Sequence, residues 1–183
     1  KNFHIGKNNL YVSSNFENAL KKSNGKFIFL SDQDDIWMPD KVEKMIKLLS
    51  KKKCSLLMSD IEVINSLNEK TQENPKLEIK TFANSLKSAK FLGCTMAFDN
   101  QYLKLILPFP KYTFTHDAWI ALIGVYNNKL SYINEPLIKY RRHDDNVTKK
   151  ISNPIWFKIF YRLYYLILII KRSWQKKEIL NEK

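Results

Sequence analysis

The feature that most constrains this chain is a short apolar run that ends in a cluster of carboxylates. Residues 27–30 are unbroken, aromatic and β-branched, which predicts a strand buried on both faces, as in a parallel sheet. Asp32, Asp34 and Asp35 follow this run almost directly. We therefore expect the acids to lie at the carboxyl end of a buried strand, where open α/β sheets bind ligands.

The spacing of these acids favours a cation site. Asp32 and Asp34 can present oxygens to one hard cation such as Mg²⁺ or Mn²⁺. An EF-hand is excluded because Trp37 occupies the sixth loop position, which requires glycine. Asp35 and Asp40 are explained equally well as acids that complement the dipole of the next helix.

The remaining pattern alternates short apolar runs with helical periodicity, which predicts an α/β fold. Helices are expected at 16–22 after an Asn15 cap, at 39–49, 84–91 and 101–107, and from Thr115 or His116 with Trp119, Leu122, Ile123 and Tyr126 inward. Strands are expected at 55–59, 61–64, 95–98, 130–133 and 137–141, and a hairpin or loop at 65–75.

Composition limits the classes of function. The 183 residues suit one domain, and Cys54 and Cys94 are expected to be small core residues of a protein in a reducing cytosol. The four glycines form neither a GxGxxG fingerprint nor a P-loop. Any phosphate chemistry would therefore depend on a metal and on basic side chains.

The last part of the chain has a different character. Residues 147–183 contain nine Lys or Arg against two Glu, a net charge of +7 out of the chain's +13. Apolar residues recur there at helical spacing among aromatic and basic ones, at Ile155, Ile159, Leu163, Leu166 and Ile170. This pattern predicts an amphipathic helix lying in an anionic membrane interface, and no window is apolar enough to span a bilayer.

Three ordered motifs carry a family resemblance. They are the acidic segment 31–41, the tetrapeptide at 116–119 (His-Asp-Ala-Trp) and the segment 140–147 (Tyr-Arg-Arg-His-Asp-Asp-Asn-Val). Together they resemble the family-two nucleotide-sugar glycosyltransferases, most closely the bacterial rhamnosyltransferase-like members of surface-polysaccharide synthesis. The resemblance implies a GT-A fold, a Rossmann-like mixed sheet flanked by helices, followed here by the amphipathic tail.

The resemblance also implies a role for each matching residue. Asp32 would contact the sugar nucleotide and the metal, Asp34 would bind the divalent metal (Mg²⁺ or Mn²⁺), and Asp117 would act as general base. His143 would reach the metal or the diphosphate. Alone, Asp117 would be assigned to helix capping and His143 to the surface. The other expected substrate-binding residues are Asp35, Gly93, His116, Arg141 and Arg142.

The implied reaction is inverting transfer of a sugar, with rhamnose as a candidate, from a nucleoside-diphosphate donor to a polysaccharide or lipid-linked acceptor. The expected location is peripheral, at the cytoplasmic face of the cell membrane. Family members usually begin with a Pro-x-Tyr-Asn strand and an Asp-Asp-x-Ser turn that hold the base, and neither is in this sequence. We therefore expect residues 1–150 to be a partial catalytic domain, 151–183 a basic tail, and nucleotide binding to be weak or lost.

Two rival functions remain open from the residues. An inactive, basic module that binds anionic membrane or nucleic acid would explain the tail but not Asp32 and Asp34, and the tail lacks nucleic-acid motifs, so no nucleic-acid partner is expected. A glycosidase using Asp34 and Asp117 would need neither the acidic spacing nor a metal.

Overall fold

A computed structural model describes residues 12–51, 54–72, 81–88, 90–113, 115–142 and 155–177. In chain order the elements are α1 (Val12–Lys22), β1 (Phe27–Phe29), β2 (Ile36–Trp37), α2 (Lys41–Ser50), β3 (Leu56–Ile64), α3 (Phe82–Ser88), a 3-10 turn (Gly93–Thr95), β4 (Met96–Asp99), α4 (Asn100–Ile106), α5 (His116–Tyr126), β5 (Leu130–Arg141) and α6 (Ile155–Gln175). The predicted α/β class, with helices around a sheet and a helix at the carboxyl end, is confirmed.

The described strands form one mixed sheet in the order β1-β4-β3-β5-β2. β3 and β5 are parallel, and the other neighbouring pairs are antiparallel. β1 and β2 lie at opposite edges although only residues 30–35 separate them. The acidic segment therefore crosses the sheet from one edge to the other.

Side chains alternate along each strand and so point to both faces of the sheet. Helices cover both faces. On β3, Leu56 and Met58 join the core beneath α1, α4, α5 and α6, whereas Leu57 joins Met45 and Leu49 of α2 on the other face. A smaller core contains Ile61, Val63, Cys94 and Ile138. This third core lies next to the acidic segment, because Trp37 packs against it.

Several predicted strands were wrong in detail. β1 pairs antiparallel with β4, and only Ile28 of β1 is fully buried, so the parallel arrangement expected for residues 27–30 is not found. The runs at 55–59 and 61–64 are one strand, β3. The runs at 130–133 and 137–141 are likewise one strand, β5, because register shifts on both sides of Pro136 let the chain pass a residue without an N–H.

The helices follow the predictions more closely. α1 already includes Asn15, so the expected cap there was wrong, and Tyr126 is 37% exposed rather than inward. Asp99 caps α4, since its side chain accepts a hydrogen bond from the Tyr102 N–H at 3.0 Å. The polar stretch after β3 is a tight turn with Asn68 at φ 67°, as far as residue 72, where the described part ends.

α6 packs on the domain by one face only. Tyr165 and Ile169 are fully buried, and the Trp119 and Tyr165 rings meet edge to face at 6.0 Å between centroids. Ile159, Leu163 and Ile170 of the stripe predicted to face a membrane are exposed, and their contact with a membrane stays a prediction. Within the described residues, no helix has the length and apolar character needed to cross a membrane. The division of the chain at residue 150 stays a prediction.

Candidate active site

The acidic segment folds into a compact cluster with a cysteine from the 3-10 turn. One ligand atom each from Asp32, Asp35 and Cys94 lie within 4.8 Å of one another. Asp34 is not a member of this group, although its charge reaches Asp32. The cluster therefore pairs Asp32 with Asp35 rather than with Asp34, the partner expected from the sequence.

The end of β5 fixes the shape of this segment. The Arg141 N–H donates to Asp35 Oδ1 at 2.9 Å, and Arg141 Nε donates to the Asp34 carbonyl at 2.9 Å. The same guanidinium donates to the Asn65 carbonyl at 3.2 Å and to Asn68 Oδ1 at 2.6 Å. Arg141 thus ties the acids to the turn after β3. Its donors hold protein groups, which does not support the expected contact with a leaving group.

A buried lysine that was not predicted from the sequence lies next to the cluster. Lys41 is 0% exposed, and its Nζ donates to the Cys94 carbonyl at 2.7 Å and lies 4.4 Å from the centroid of the Trp37 ring. Burial lowers the pKa of Lys41 to about 8, against the charges of Asp35 and Asp32, which raise it. Its position at the start of an amphipathic helix gave no signal of burial, because lysine is ordinarily exposed.

Electrostatics at the cluster are set by burial and by like charge. Burial, followed by the charges of Asp35, Asp34 and Asp117, raises the pKa of Asp32 to about 6. Burial also raises the pKa of Asp35, whereas the hydrogen bond from Arg141 lowers it. Placing several carboxylates together is unfavourable without a cation, because each charge opposes ionisation of the others.

Gly93 joins the acid cluster to the start of α5. A Cβ added at Gly93 would lie 2.8 Å from His116 Nε2 and 3.7 Å from Asp117 Cβ, so only glycine fits here without displacing a neighbour. The His116 ring stacks on Phe16 with centroids 3.8 Å apart, and its buried Nε2 has no hydrogen-bond partner among the described residues. Burial lowers the pKa of His116, whereas the charge of the neighbouring Asp117 raises it.

Asp117 lies in the first turn of α5, as predicted, with Thr115 as the N-cap residue. Its Oδ1 accepts a hydrogen bond from the Ala118 N–H at 2.8 Å. Burial raises the pKa of Asp117, while the neighbouring His116 and the Ala118 hydrogen bond act in the opposite direction. Asp117 is therefore a partly buried carboxylate within electrostatic reach of Asp32.

The cluster fits a hard divalent cation. Asp35 Oδ2 is buried and has no hydrogen-bond partner among the described residues, so one oxygen is left for a ligand. Asp32 and Asp35 supply the oxygen donors that Mg²⁺ and Mn²⁺ prefer. Burial raises the pKa of the Cys94 thiol, so Cys94 stays protonated and is not a ligand for such a cation.

The structure thus brings together Asp32, Asp34, Asp35, Gly93 and Asp117, with His116 behind Gly93. Arg142 lies one residue past β5 and its N–H donates to the Ile64 carbonyl at 2.9 Å. His143 lies outside the described residues. The functional roles assigned to all of these residues stay predictions, and Lys41 and Cys94 are added to them as neighbours.

Comparison with known proteins identifies the family of this chain. The sequence profile of the glycosyl transferase family 2 matches residues 3–108. A glucosyltransferase from Escherichia coli, WfgD, is 30% identical over 84% of this chain and 66% of its own length. The dTDP-rhamnosyl transferase RfbG from Shigella flexneri is 25% identical over 92% of this chain and 60% of its own.

The same fold occurs in a solved structure. TarS residues 1–349 from S. aureus, crystallised with UDP-GlcNAc, superpose with a TM-score of 0.59 and 17% identity over 93% of this chain and 51% of that one. The chain spans between about half and two thirds of the length of the curated relatives it matches. Because the family profile covers more than half of the sequence, the chain belongs to the glycosyl transferase family 2 and has the GT-A fold.

Proposed function

We propose that this chain carries the catalytic residues for inverting transfer of a sugar from a nucleoside-diphosphate donor to a hydroxyl group of an acceptor. The observation that supports this most strongly is the position of Asp117, a partly buried carboxylate whose charge reaches the cluster of Asp32 and Asp35. Gly93 precedes Cys94 of the cluster, and a Cβ added to it would lie 3.7 Å from Asp117 Cβ, which supports a base beside the proposed diphosphate site.

In this proposal Asp117 accepts the proton of the acceptor hydroxyl as its oxygen attacks the anomeric carbon. The bond from that carbon to the diphosphate breaks, and the leaving group departs with the electron pair. Burial raises the pKa of Asp117, which makes the carboxylate a stronger base than an exposed one. General base catalysis of this kind contributes roughly 10²–10⁴-fold in rate.

Asp32 and Asp35, with Asp34 nearby, would hold a Mg²⁺ or Mn²⁺ ion. Such an ion, when bound, neutralises the negative charge of the diphosphate. Arg142 and His143 are proposed to add positive charge to the diphosphate. Arg141 has a positioning role, because its hydrogen bonds to Asp34 and Asp35 fix the shape of the acidic segment.

The relatives suggest the substrate class. WfgD is named for UDP-Glc and a diphosphoundecaprenol-linked GlcNAc, and RfbG for dTDP-rhamnose. We propose a nucleotide-sugar donor, with rhamnose and glucose as the first sugars to test, and a saccharide or lipid-linked acceptor. A protein with these substrates would act at the cytoplasmic face of the cell membrane.

The test is a transfer assay on the whole chain with dTDP-rhamnose, UDP-Glc or UDP-GlcNAc, Mn²⁺ and a lipid-linked GlcNAc diphosphate. Donor is supplied at millimolar concentration so that a low affinity does not mask transfer. We expect Asp117→Asn to lower nucleoside-diphosphate release by about 10²-fold or more. Asp40→Asn is the matched control, since Asp40 is paired with Lys44 and lies outside the cluster. Equal rates for wild type and Asp117→Asn would refute the proposal.

A further inference from the structure

We propose that the exposed side of α6 docks on an anionic lipid bilayer. The side in question, called the outer face of α6, consists of six residues that are each at least half exposed: Trp156, Ile159, Phe160, Leu163, Ile167 and Trp174. At 100° per residue they fall within about 100° of arc and extend over roughly 27 Å of helix. A continuous apolar strip of this length is unusual on a protein surface and marks an interaction site.

The outer face is not needed to hold the helix on the protein. The opposite face already packs on the domain, with Tyr165 and Ile169 fully buried. Tyr165 Oη donates to the Thr115 carbonyl at 3.3 Å, and Asn127 Nδ2 donates to Ser173 Oγ at 2.9 Å. α6 is therefore a fixed part of the domain, and its apolar outer face is exposed.

Two of the basic residues of α6 also serve this inner attachment. Arg172 donates from Nη1 to the Leu105 carbonyl at 3.0 Å and from Nη2 to the Pro108 carbonyl at 2.7 Å. Arg162 Nη2 donates to the Lys87 carbonyl at 2.6 Å. The guanidinium groups thus hold the helix in place, and the charge left beside the outer face belongs to exposed lysines, Lys171 and Lys177.

The positive charge and the tryptophans of this helix favour a lipid surface as its partner. Residues 155–177 contain six Lys or Arg and no Asp or Glu, which favours anionic headgroups. Trp156 and Trp174 lie at the two ends of the outer face, and tryptophan is enriched at the boundary between water and lipid. A second copy of this chain would bring another net charge of +13 to the same surface, which opposes self-association.

Docking by this face would orient the candidate active site. Tyr165 contacts the carbonyl of Thr115, two residues before Asp117. Because α6 is attached to α5 at this point, the depth at which α6 lies in the interface sets the height of Asp117 above the membrane. Lipid binding itself requires neither a donor nor catalysis, so it can be tested separately from the proposed function.

The test is flotation of the whole chain, without nucleotide sugar, with vesicles of phosphatidylglycerol and phosphatidylcholine or of phosphatidylcholine alone. We expect flotation with the anionic vesicles, at least about tenfold weaker binding to the neutral ones, and a blue shift of tryptophan emission on binding. The variant Ile159→Ser/Leu163→Ser/Ile167→Ser should lose flotation. The matched control Leu67→Ser/Tyr112→Ser changes residues that are 73% and 62% exposed elsewhere and should float as the wild type does.

A charge variant, Lys171→Glu/Lys177→Glu, tests the same surface without altering its apolar residues, so that misfolding of the serine variant would not leave the question open. We expect it to reduce binding to anionic vesicles by about tenfold. Wild-type flotation by either the serine variant or the charge variant would overturn the proposal. So would a wild type that ignores anionic vesicles and forms a dimer that the serine variant abolishes.

Discussion

Soluble proteins usually bury apolar side chains and expose charged ones. The acidic cluster and the outer face of α6 depart from this rule in opposite directions. Around Asp32, charge is taken out of water, and Lys41 is buried completely. Along α6, apolar side chains are left in water, with Trp174 84% exposed. Neither arrangement favours folding, because buried charge is costly to desolvate and exposed apolar surface gains nothing from the hydrophobic effect.

The two regions differ in the kind of ligand or partner that would offset their unfavourable free energy. Asp35 Oδ2 has no hydrogen-bond partner among the described residues, and a cation would give it a ligand. The outer face is exposed to water, and a bilayer would cover it. Residues that lower the stability of the free protein in these ways are common at functional sites. The two regions therefore point to a donor site and to a docking surface.

The largest expected effect compares the two faces of α6. Tyr165 is 0% exposed and packs against Trp119 and Tyr161, so Tyr165→Ala should cost roughly 3–5 kcal/mol of unfolding free energy. Leu163→Ala, two residues away on the outer face, should change it by less than about 0.5 kcal/mol. Urea unfolding of both variants measures the difference. Similar losses would mean that the outer face is packed in the free protein.

The next effect concerns the junction between the cluster and α5. Gly93→Ala places a Cβ 2.8 Å from His116 Nε2, and the stacked Phe16 ring limits how far the imidazole can move. We expect a loss of roughly 1–3 kcal/mol in urea unfolding. In a His116→Ala background the same change should cost much less. An unchanged cost in that background would show that His116 is not the obstacle.

Removing one buried charge should stabilise the free protein. Because burial raises the pKa of Asp32 from 3.8 to about 6, its contribution to stability is fully present below pH 4 and is lost as the pH rises through 6. Asp32→Asn should therefore match the wild type near pH 4 and exceed it by roughly 1 kcal/mol above pH 7, after allowance for solvent screening. Thermal unfolding across this pH range tests the sign. A variant less stable than wild type at pH 7 would contradict it.

The smallest effect belongs to Lys41, whose charge lowers the pKa of Asp32. Lys41→Met should therefore raise the pH at which Asp32 ionises, by less than about one unit. The measurement is the pH dependence of thermal unfolding for Lys41→Met and for the double variant with Asp32→Asn. A pH dependence identical to that of the wild type would show that Lys41 does not act on Asp32.

Much of the fold followed from local pattern. The helices α2 and α5 and the strand β4 were expected almost where they occur, because apolar periodicity and caps act over a few residues. The crossing of Pro136 by β5 and the two-residue strand β2 were not expected, because both depend on pairing with distant strands. Ile159, Leu163 and Ile170 of α6 are exposed, as the predicted interfacial stripe requires, but the burial of Tyr165 and Ile169 on the opposite face was not expected. Both sides of that helix are apolar, so only the contact of Tyr165 with α5 decides which one is buried.

In the candidate site, too, some features were predicted from the sequence and others were not. The approach of Asp117 to Asp32 agrees with what the ordered motifs implied, although 84 residues lie between them. Sequence spacing favoured Asp34 as the partner of Asp32, whereas the fold turns Asp35 toward Asp32 and Cys94 by means of the Arg141 N–H. That choice rests on a hydrogen bond from the far end of β5, which no local pattern encodes.

If the partly buried Asp32 and Asp35 form a cation site, calorimetric titration of Mn²⁺ into the whole chain near pH 7.5 will detect it directly. We predict one site, at least tenfold weaker binding in Asp32→Asn and in Asp35→Asn, and wild-type binding in Asp40→Asn. Wild-type affinity in both Asp32→Asn and Asp35→Asn would contradict the account.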